Sequence, residues 1–417
     1  MASKKKNDDL SDAAKARMAM VAKAKAAIQK STKQKPLEPT VETMAHVPTG
    51  SFALDMLIGG SPTKDGKGMI CPGLPKRRIV EIYGPESSGK TTLLISAMVQ
   101  AQKAGGAAMF IDFEHSLDHS YAKAQGLSYD EDKLLVYQPD SMEEGFKMMF
   151  VGIVSGFDII GVDSVAAMVP KTELEKGFDD AAKIGVVARM FSQSLPKFAM
   201  WLHKYPKLDK EKTDPNHEGS TLVFINQTRA QINTSGYGGD NETTSGGKAL
   251  KFYASLRLRT TRIRSEFVEK KDQMSGKKRR FPYGNVTDVK IIKSKIDAVQ
   301  GHSTQMFIRF GLGVDDHFSI IETGVAQKVI KREGAYYALG ENKFQGKEKF
   351  RSFLLENPKV YDALKVKLAE AITAAVSDGP IKIEDEDDVL DDFDFEGAGL
   401  DEDLDTEDVT MDEESAA

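Results

Sequence analysis

Gly84-Pro85-Glu86-Ser87-Ser88-Gly89-Lys90-Thr91, followed by Thr92, sets two glycines, a lysine and a hydroxyl at the spacing of a phosphate-binding loop. Glycine lets consecutive backbone N–H groups curl round an anion. Lys90 places a positive charge on the β/γ oxygens, and Thr91 offers its hydroxyl to Mg²⁺. The chemistry implied is the binding of ATP or another nucleoside triphosphate. Two carboxylates extend it. Asp163 closes the apolar run "DIIGVD", where a carboxylate near the Mg²⁺ shell belongs. Alone it would read equally as a helix cap or turn residue, and the phosphate loop is what tips it toward the metal. Glu114, in "FIDFEHSLD", stands just past a strand's carboxyl end, the side on which open α/β sheets bind ligands. There it can orient or deprotonate an attacking water, a surface salt bridge being the alternative.

The elements that must hold these groups follow from apolar runs alternating with helical segments between about 45 and 315, the pattern of a mostly parallel sheet flanked by helices. "RIVEIY" (78–83), "AAMFID" (107–112), "FDIIGVD" (157–163), "STLVFINQ" (220–227) and "VTDVKIIKSK" (286–295) are the expected strands, and "KTTLLISAMVQAQ" is the helix that the phosphate loop opens. Two polar inserts, 204–219 and 269–280, read as surface loops or hairpin tips. A compact segment at about 317–376 mixes strand and helix signals. The expected class is α/β: a P-loop ATPase core over 45–316, a helical arm over 1–44, a small α+β domain over 317–380 and an acidic tail over 381–417. In the arm, "SDAAKARMAMVAKAKAAIQK" reads as a helix capped by Ser11. Its stripe of Met18, Val21 and Ile28 is too narrow to pack on a core and better suited to another chain, a frayed arm being the alternative.

Net charge is −6, but 384–415 holds 18 Asp/Glu and no Lys or Arg, leaving 57 basic against 45 acidic residues, or +12, in the rest of the 417-residue chain. A basic body with an acidic tail suggests a polyanion-binding surface and a segment that competes for it; a merely solubilising tail is the plainer reading. Cys71 is the single cysteine, which excludes an internal disulfide framework and any CxxC metal site and fits a reducing compartment. No apolar run approaches the roughly 18 residues of a membrane span, and no apolar signal core follows the N-terminus. A soluble, cytoplasmic protein without membrane partners is expected.

These motifs resemble the RecA-type recombinases, the ATP-dependent DNA strand-exchange proteins. "GLPKRRIVEIYGPESSGKTT" is similar to that family's nucleotide loop almost letter for letter. "FIDFEHSLD", "QPD", "VDSVAAMVPKTELE", "FINQ", "ETTSGGKALKFYASLRL", "KIIKSKI" and "GVAQKVIKREGAYYALGENKFQGKEK" follow in the family's order, over roughly 40–370. The resemblance implies a RecA-like core that polymerises as a helical filament on single-stranded DNA, pairs it with double-stranded DNA, and serves recombination and repair after DNA damage. ATP and Mg²⁺ are the implied cofactors, with single-strand binding and mediator proteins as further partners. Carried over by position, it makes Glu114 the catalytic carboxylate, sets Asp118 and Tyr121 against adenine, and makes Gln227 the γ-phosphate sensor at the root of a DNA loop. Lys293 and Lys295 alternate on a strand and share a face. From the residues alone that is a solvated face; the resemblance sends both lysines across a subunit boundary to the neighbour's ATP.

Two segments, 175–189 and 228–247, are the implied DNA loops. Their contacts are Arg189, Ser192, Arg229, the backbone at Gly246 and Gly247, and Ile184 and Tyr237 as wedging or stacking side chains. Pro196 departs from the family, which commonly offers an arginine there; the second loop is longer, with Tyr237 shifted; and both inserts are extra, as in a divergent member, one from a virus. Lys328, Lys331, Arg332, Lys343, Lys347, Lys349 and Arg351 make the C-terminal segment basic, either as a landing surface for duplex DNA or as a solvated face. Two rivals share the motifs: a ring-shaped helicase or branch-migration motor, and a DNA coat that binds ATP without turnover.

Overall fold

The computed structural model describes residues 12–32, 43–60, 63, 69–175, 185–208, 218–230, 242–271, 278–296, 298 and 300–377. Nine strands follow one another across the central sheet in the order Gly313–Val314, Ser303–Arg309, Lys278–Ser294, Leu256–Lys271, Ile79–Gly84, Thr221–Ala230, Ile159–Asp163, Ala108–Asp112 and Leu134–Tyr137. From Leu256–Lys271 to Leu134–Tyr137 the pairs are parallel; beyond Leu256–Lys271 toward the other edge they are antiparallel. All five expected strands are present. The four others were not read from the sequence.

The central strands are apolar without interruption because both sheet faces are covered. Val80, Ile82, Phe110, Val223 and Ile225 pack into one core with Leu93, Leu94, Ala97 and Met98 of the helix Lys90–Lys103. Their alternating neighbours Ile79, Met109, Ile111, Ile160, Val162, Leu222 and Phe224 pack into a second core with Met149 and Ile153 of Met142–Ser155 and Phe191, Leu195, Phe198 and Leu202 of Val186–Leu208. The rings of Phe146 and Phe224 meet Phe191 edge-on at 5.6 and 5.9 Å, fixing the start of that long helix to the sheet.

The long helix runs to Leu208, several residues into the first insert, and 209–217 lie outside the described residues. The second insert is a hairpin tip, one of its two expected forms: Leu256–Lys271 and Lys278–Ser294 pair up to Lys271↔Lys278, so half of 269–280 is strand, and 272–277 lie outside the described residues. The C-terminal segment has its own core of Ile320, Ile321, Ile330, Tyr337, Phe350, Leu354, Leu364 and Leu368, against which Phe52 packs. It is built from helices Asp316–Ala326, Lys347–Glu356 and Pro358–Ser377 and a three-stranded antiparallel sheet. Near the N-terminus, Asp12–Thr32 is a helix, with Met18, Val21 and Ile28 exposed; Ser11 lies outside the described residues, as does the acidic tail. Among the described residues no helix is long and apolar enough to cross a membrane.

Candidate active site

The phosphate loop begins where Ile79–Gly84, buried along its length, leaves the sheet. A Cβ on Gly84 would fall 2.1 Å from the Thr260 carbonyl oxygen, and one on Gly89, whose φ is +88°, 2.2 Å from Ile308 Cδ1. Only glycine fits both places. Pro85, Glu86 and Ser87 form an exposed crest. Ser88 turns inward, donating to the Pro85 carbonyl at 2.7 Å and meeting Thr260 Oγ1 at 2.7 Å.

Lys90 Nζ donates to the carbonyls of Gly84 at 3.2 Å and Pro85 at 2.7 Å. Burial pulls this ammonium below its ordinary range, opposed by the negative charges of Asp163, Glu114 and Glu86. Thr91 Oγ1 donates to Asp163 Oδ2 at 2.6 Å. Burial pushes Asp163 up to about 6 against that bond, with Glu114 and Asp112 adding to the rise. A buried carboxylate beside like charges favours a cation. Hydroxyl and carboxylate together are the donor set that Mg²⁺ takes alongside phosphate oxygens and water. Among the described residues no group of three or more His, Cys, Asp or Glu could hold a metal ion.

Asp112 ends its strand buried and accepts from the backbone N–H groups of Ser116 at 3.3 Å and Leu117 at 3.2 Å and from Gln138 Nε2 at 3.1 Å. It thereby pins the loop that presents Glu114. Ser164 Oγ donates to Glu114 Oε1, and Gln227 Nε2 donates to the same oxygen at 3.2 Å. Asp118 Oδ1 accepts from the Tyr121 N–H at 2.9 Å, capping the helix His119–Ala124, and the Tyr121 hydroxyl meets Thr92 Oγ1 at 3.3 Å. The expected adenine residues thus stand beside the first turn of the phosphate-loop helix.

Behind Gln227 lies a buried polar path that the sequence did not disclose. Asn226 donates to Glu81 Oε1 and to the Ser245 carbonyl, both at 2.9 Å, and accepts from the Gln227 N–H at 3.0 Å. Glu81, fully buried on the phosphate-loop strand, also accepts from Arg257 Nε at 2.5 Å. Ser245 precedes the turn Gly246–Gly247, with φ of +87° and +71°, which opens the helix Gly247–Tyr253. A Cβ on Gly246 would meet Val165 Cγ1 at 3.0 Å, and one on Gly247 would meet Ala188 Cβ at 2.9 Å, so this turn sits directly on the start of the long helix. The signal that could have revealed the path was a lone carboxylate inside the apolar run "RIVEIY".

Parts of the two long segments read as loops lie within the described residues. The long helix starts at Val186, putting Arg189 and Ser192, both exposed, on its first turns, and Ser192 Oγ donates to the Ala188 carbonyl at 2.9 Å. Thr228–Ala230 and Glu242–Thr244 form an antiparallel ribbon in which Arg229 pairs with Thr243. Ile184 and Tyr237 lie outside the described residues, and of Arg229 only its place in the ribbon is described. Pro196 is a partly buried residue within the long helix, with exposed Lys197 beside it.

Lys293 pairs with Arg257, and Arg257 with Glu81. That level lies three residues, roughly 10 Å, before Gly84 along the strand direction. Lys293 Nζ donates to the carbonyls of Lys251 at 2.5 Å and Phe252 at 2.9 Å, and Lys295 Nζ to Phe252 at 2.7 Å. Both therefore share a face and cap the C-terminal end of Gly247–Tyr253, where carbonyls lack intrahelical partners. Of the C-terminal basic residues, Arg351 donates to Asp315 at 2.5 Å and Lys347 pairs with Glu322, while Lys328, Lys331, Arg332 and Lys349 are exposed.

The family model for the RecA N-terminal domain matches residues 17–315, and that for the RecA C-terminal domain matches 318–373. Protein RecA of Salinispora tropica is 42% identical over 343 residues, 82% of this chain and 87% of the relative. Protein RecA of Nautilia profundicola is 40% identical over 352 residues, 84% and 89% of the two chains. A crystal structure of the RadB recombinase superposes with a TM-score of 0.42 at 17% identity, covering 65% of this chain and 99% of that one.

Proposed function

Because the chain belongs to the RecA family, we propose that it carries out ATP-dependent DNA recombination and repair, polymerising on single-stranded DNA, searching duplex DNA for homology and exchanging strands. The observation that supports this reading most is the hydrogen-bonded path Glu114–Gln227–Asn226–Ser245, which runs from the catalytic carboxylate to the turn carrying the second DNA loop.

ATP lies along Gly84–Thr92, with adenine toward Asp118 and Tyr121. Lys90 exchanges the Gly84 and Pro85 carbonyls for phosphate oxygens, and the backbone N–H groups of the loop point at the same anion. Thr91 and Asp163 would hold Mg²⁺, which would supply positive charge against the phosphate oxygens. Glu114, oriented by Ser164, accepts a proton from the attacking water. Gln227 exchanges its bond to Glu114 for one to a γ-phosphate oxygen and loses it on hydrolysis, biasing the loop that follows. Lys293 and Lys295 reach the neighbour's nucleotide, as in the family this chain belongs to, so turnover depends on assembly.

Arg189, Ser192, Arg229 and the backbone at Gly246 and Gly247 grip the DNA backbone, and Ile184 and Tyr237 wedge or stack between bases without reading sequence. Lys328, Lys331, Arg332 and Lys349 receive duplex DNA, with the acidic tail as competitor, and the N-terminal helix packs on a neighbouring copy. Single-strand binding and mediator proteins complete the partners, in the cytoplasm. Electron microscopy with a non-hydrolysable ATP analogue and single-stranded DNA tests the reading: helical filaments are expected, and closed rings or absence of assembly would overturn it.

A further inference from the structure

The hairpin Leu256–Lys271/Lys278–Ser294 outruns its sheet. The phosphate-loop strand pairs with it only at Leu256–Arg259, and Ser303–Arg309 only at Gly284–Lys290. The last five rows, Phe267↔Pro282, Val268↔Phe281, Glu269↔Arg280, Lys270↔Arg279 and Lys271↔Lys278, have no third strand on either side among the described residues. They form a ribbon roughly 17 Å long. A two-stranded ribbon is marginal alone and its open edges invite a partner.

Its composition says which partner. Between 267 and 282 the sequence holds six Lys/Arg and two acids, Glu269, which pairs with Arg280, and Asp272. Lys278, Arg279 and Arg280 are exposed, and alternation along the strand sends them to both faces. Phe267 on one face and Phe281 on the other are also exposed, at 45% and 41%, and the Arg280 guanidinium stacks 5.0 Å over the Phe267 ring. Cations on both faces of one narrow ribbon do not match a flat protein surface of one sign. They match a groove with phosphates on both walls, and the DNA major groove, about 12 Å wide, admits a two-stranded ribbon.

We propose that this ribbon is an additional, sequence-blind binding site for duplex DNA, with Lys278, Arg279 and Arg280 meeting phosphates and Phe267 and Phe281 packing on the groove wall. It rests on the strand-exchange reading only for the presence of duplex DNA as a natural partner.

The test uses the full chain and a labelled 30-base-pair duplex, with affinity measured by anisotropy across a salt series without nucleotide. Single-stranded-DNA-stimulated phosphate release is measured in parallel. Lys278→Gln/Arg279→Gln/Arg280→Gln is expected to weaken duplex binding at least tenfold at low salt and to lower the log–log salt slope by about 2–3, since each phosphate contact contributes about 0.9. Phosphate release stays unchanged. Phe267→Ser, which keeps every charge, is expected to weaken binding about threefold with the slope intact. Unchanged duplex affinity and slope in the triple variant overturn the proposal. Loss of filament assembly with duplex affinity unchanged also overturns it, in favour of a contact between copies. A wild-type chain without DNA-stimulated turnover instead overturns the strand-exchange reading, while the duplex titration still decides the ribbon.

Discussion

Gln227 Nε2 and Ser164 Oγ converge on one oxygen of Glu114, Gln227 at 3.2 Å, so the carboxylate proposed to activate water is held by the residue proposed to sense phosphate. Glu114→Gln keeps the shape but removes the proton acceptor. The variant is expected to bind a fluorescent ATP analogue normally and to turn over about 10²–10⁴-fold more slowly. Normal phosphate release would remove Glu114 from its role.

Asn226 spends both amide hydrogens and its carbonyl oxygen on Glu81, Ser245 and Gln227. Asn226→Asp would set two carboxylates face to face, and a buried unpaired charge costs about 3–5 kcal/mol. ATP-analogue binding is expected to survive while the ratio of single-stranded-DNA affinity with analogue to that with ADP falls toward one. Glu81→Gln/Asn226→Asp, which restores a donor facing an acceptor, should recover part of the ratio. An unaltered ratio in the single variant would take Asn226 out of the path.

Burial, together with the positive neighbours Lys295 and Arg257, pulls the Lys293 ammonium down from its ordinary range. The carbonyls of Lys251 and Phe252 hold it in a single chain. Lys293→Ala is expected to leave analogue binding intact and cut DNA-stimulated turnover at least 100-fold, in the range of a trans-acting cation. Turnover at the wild-type rate on DNA would contradict a shared site.

Where the C-terminal segment meets the core, Asp55 accepts from the Thr49 N–H at 2.8 Å, and Asp316 accepts from the Phe52 N–H at 2.7 Å and from the Tyr361 hydroxyl. Burial pushes the Asp55 carboxyl from 3.8 up to about 8, the Thr49 bonds opposing and Asp316 adding to the rise. The folded chain keeps this proton where the unfolded chain has released it, so stability falls as pH rises from about 4 to 8, by at most about 1.4 kcal/mol per unit. Asp55→Asn should flatten that dependence of the urea midpoint between pH 5.5 and 8.5. An equal pH dependence in both proteins would refute it.

The phosphate loop and the central strands were legible because a parallel sheet covered on both faces demands continuous apolar runs, as at 78–83 and 157–163. Glu81, Asn226 and Arg257 were not, since a buried polar group has meaning only through its partners, and these come from strands about 145 and 176 positions apart. Alternation placed Lys293 and Lys295 on one face, yet nothing local announced the helix end they cap. One strand of the hairpin was read at 286–295, but its outer rows were legible only as a loop or hairpin tip, because an arm with both faces in water has no apolar alternation to show.

The central claim is that nucleotide state sets the hold on an unpaired strand through Gln227 and Asn226. It is tested most directly by titrating a labelled single-stranded oligonucleotide with the full chain bound to a non-hydrolysable ATP analogue, to ADP, or to neither, at fixed salt. At least tenfold tighter binding with the analogue than with ADP, about 1.4 kcal/mol, is predicted. Equal affinity in all three states, with nucleotide binding verified, would contradict the account.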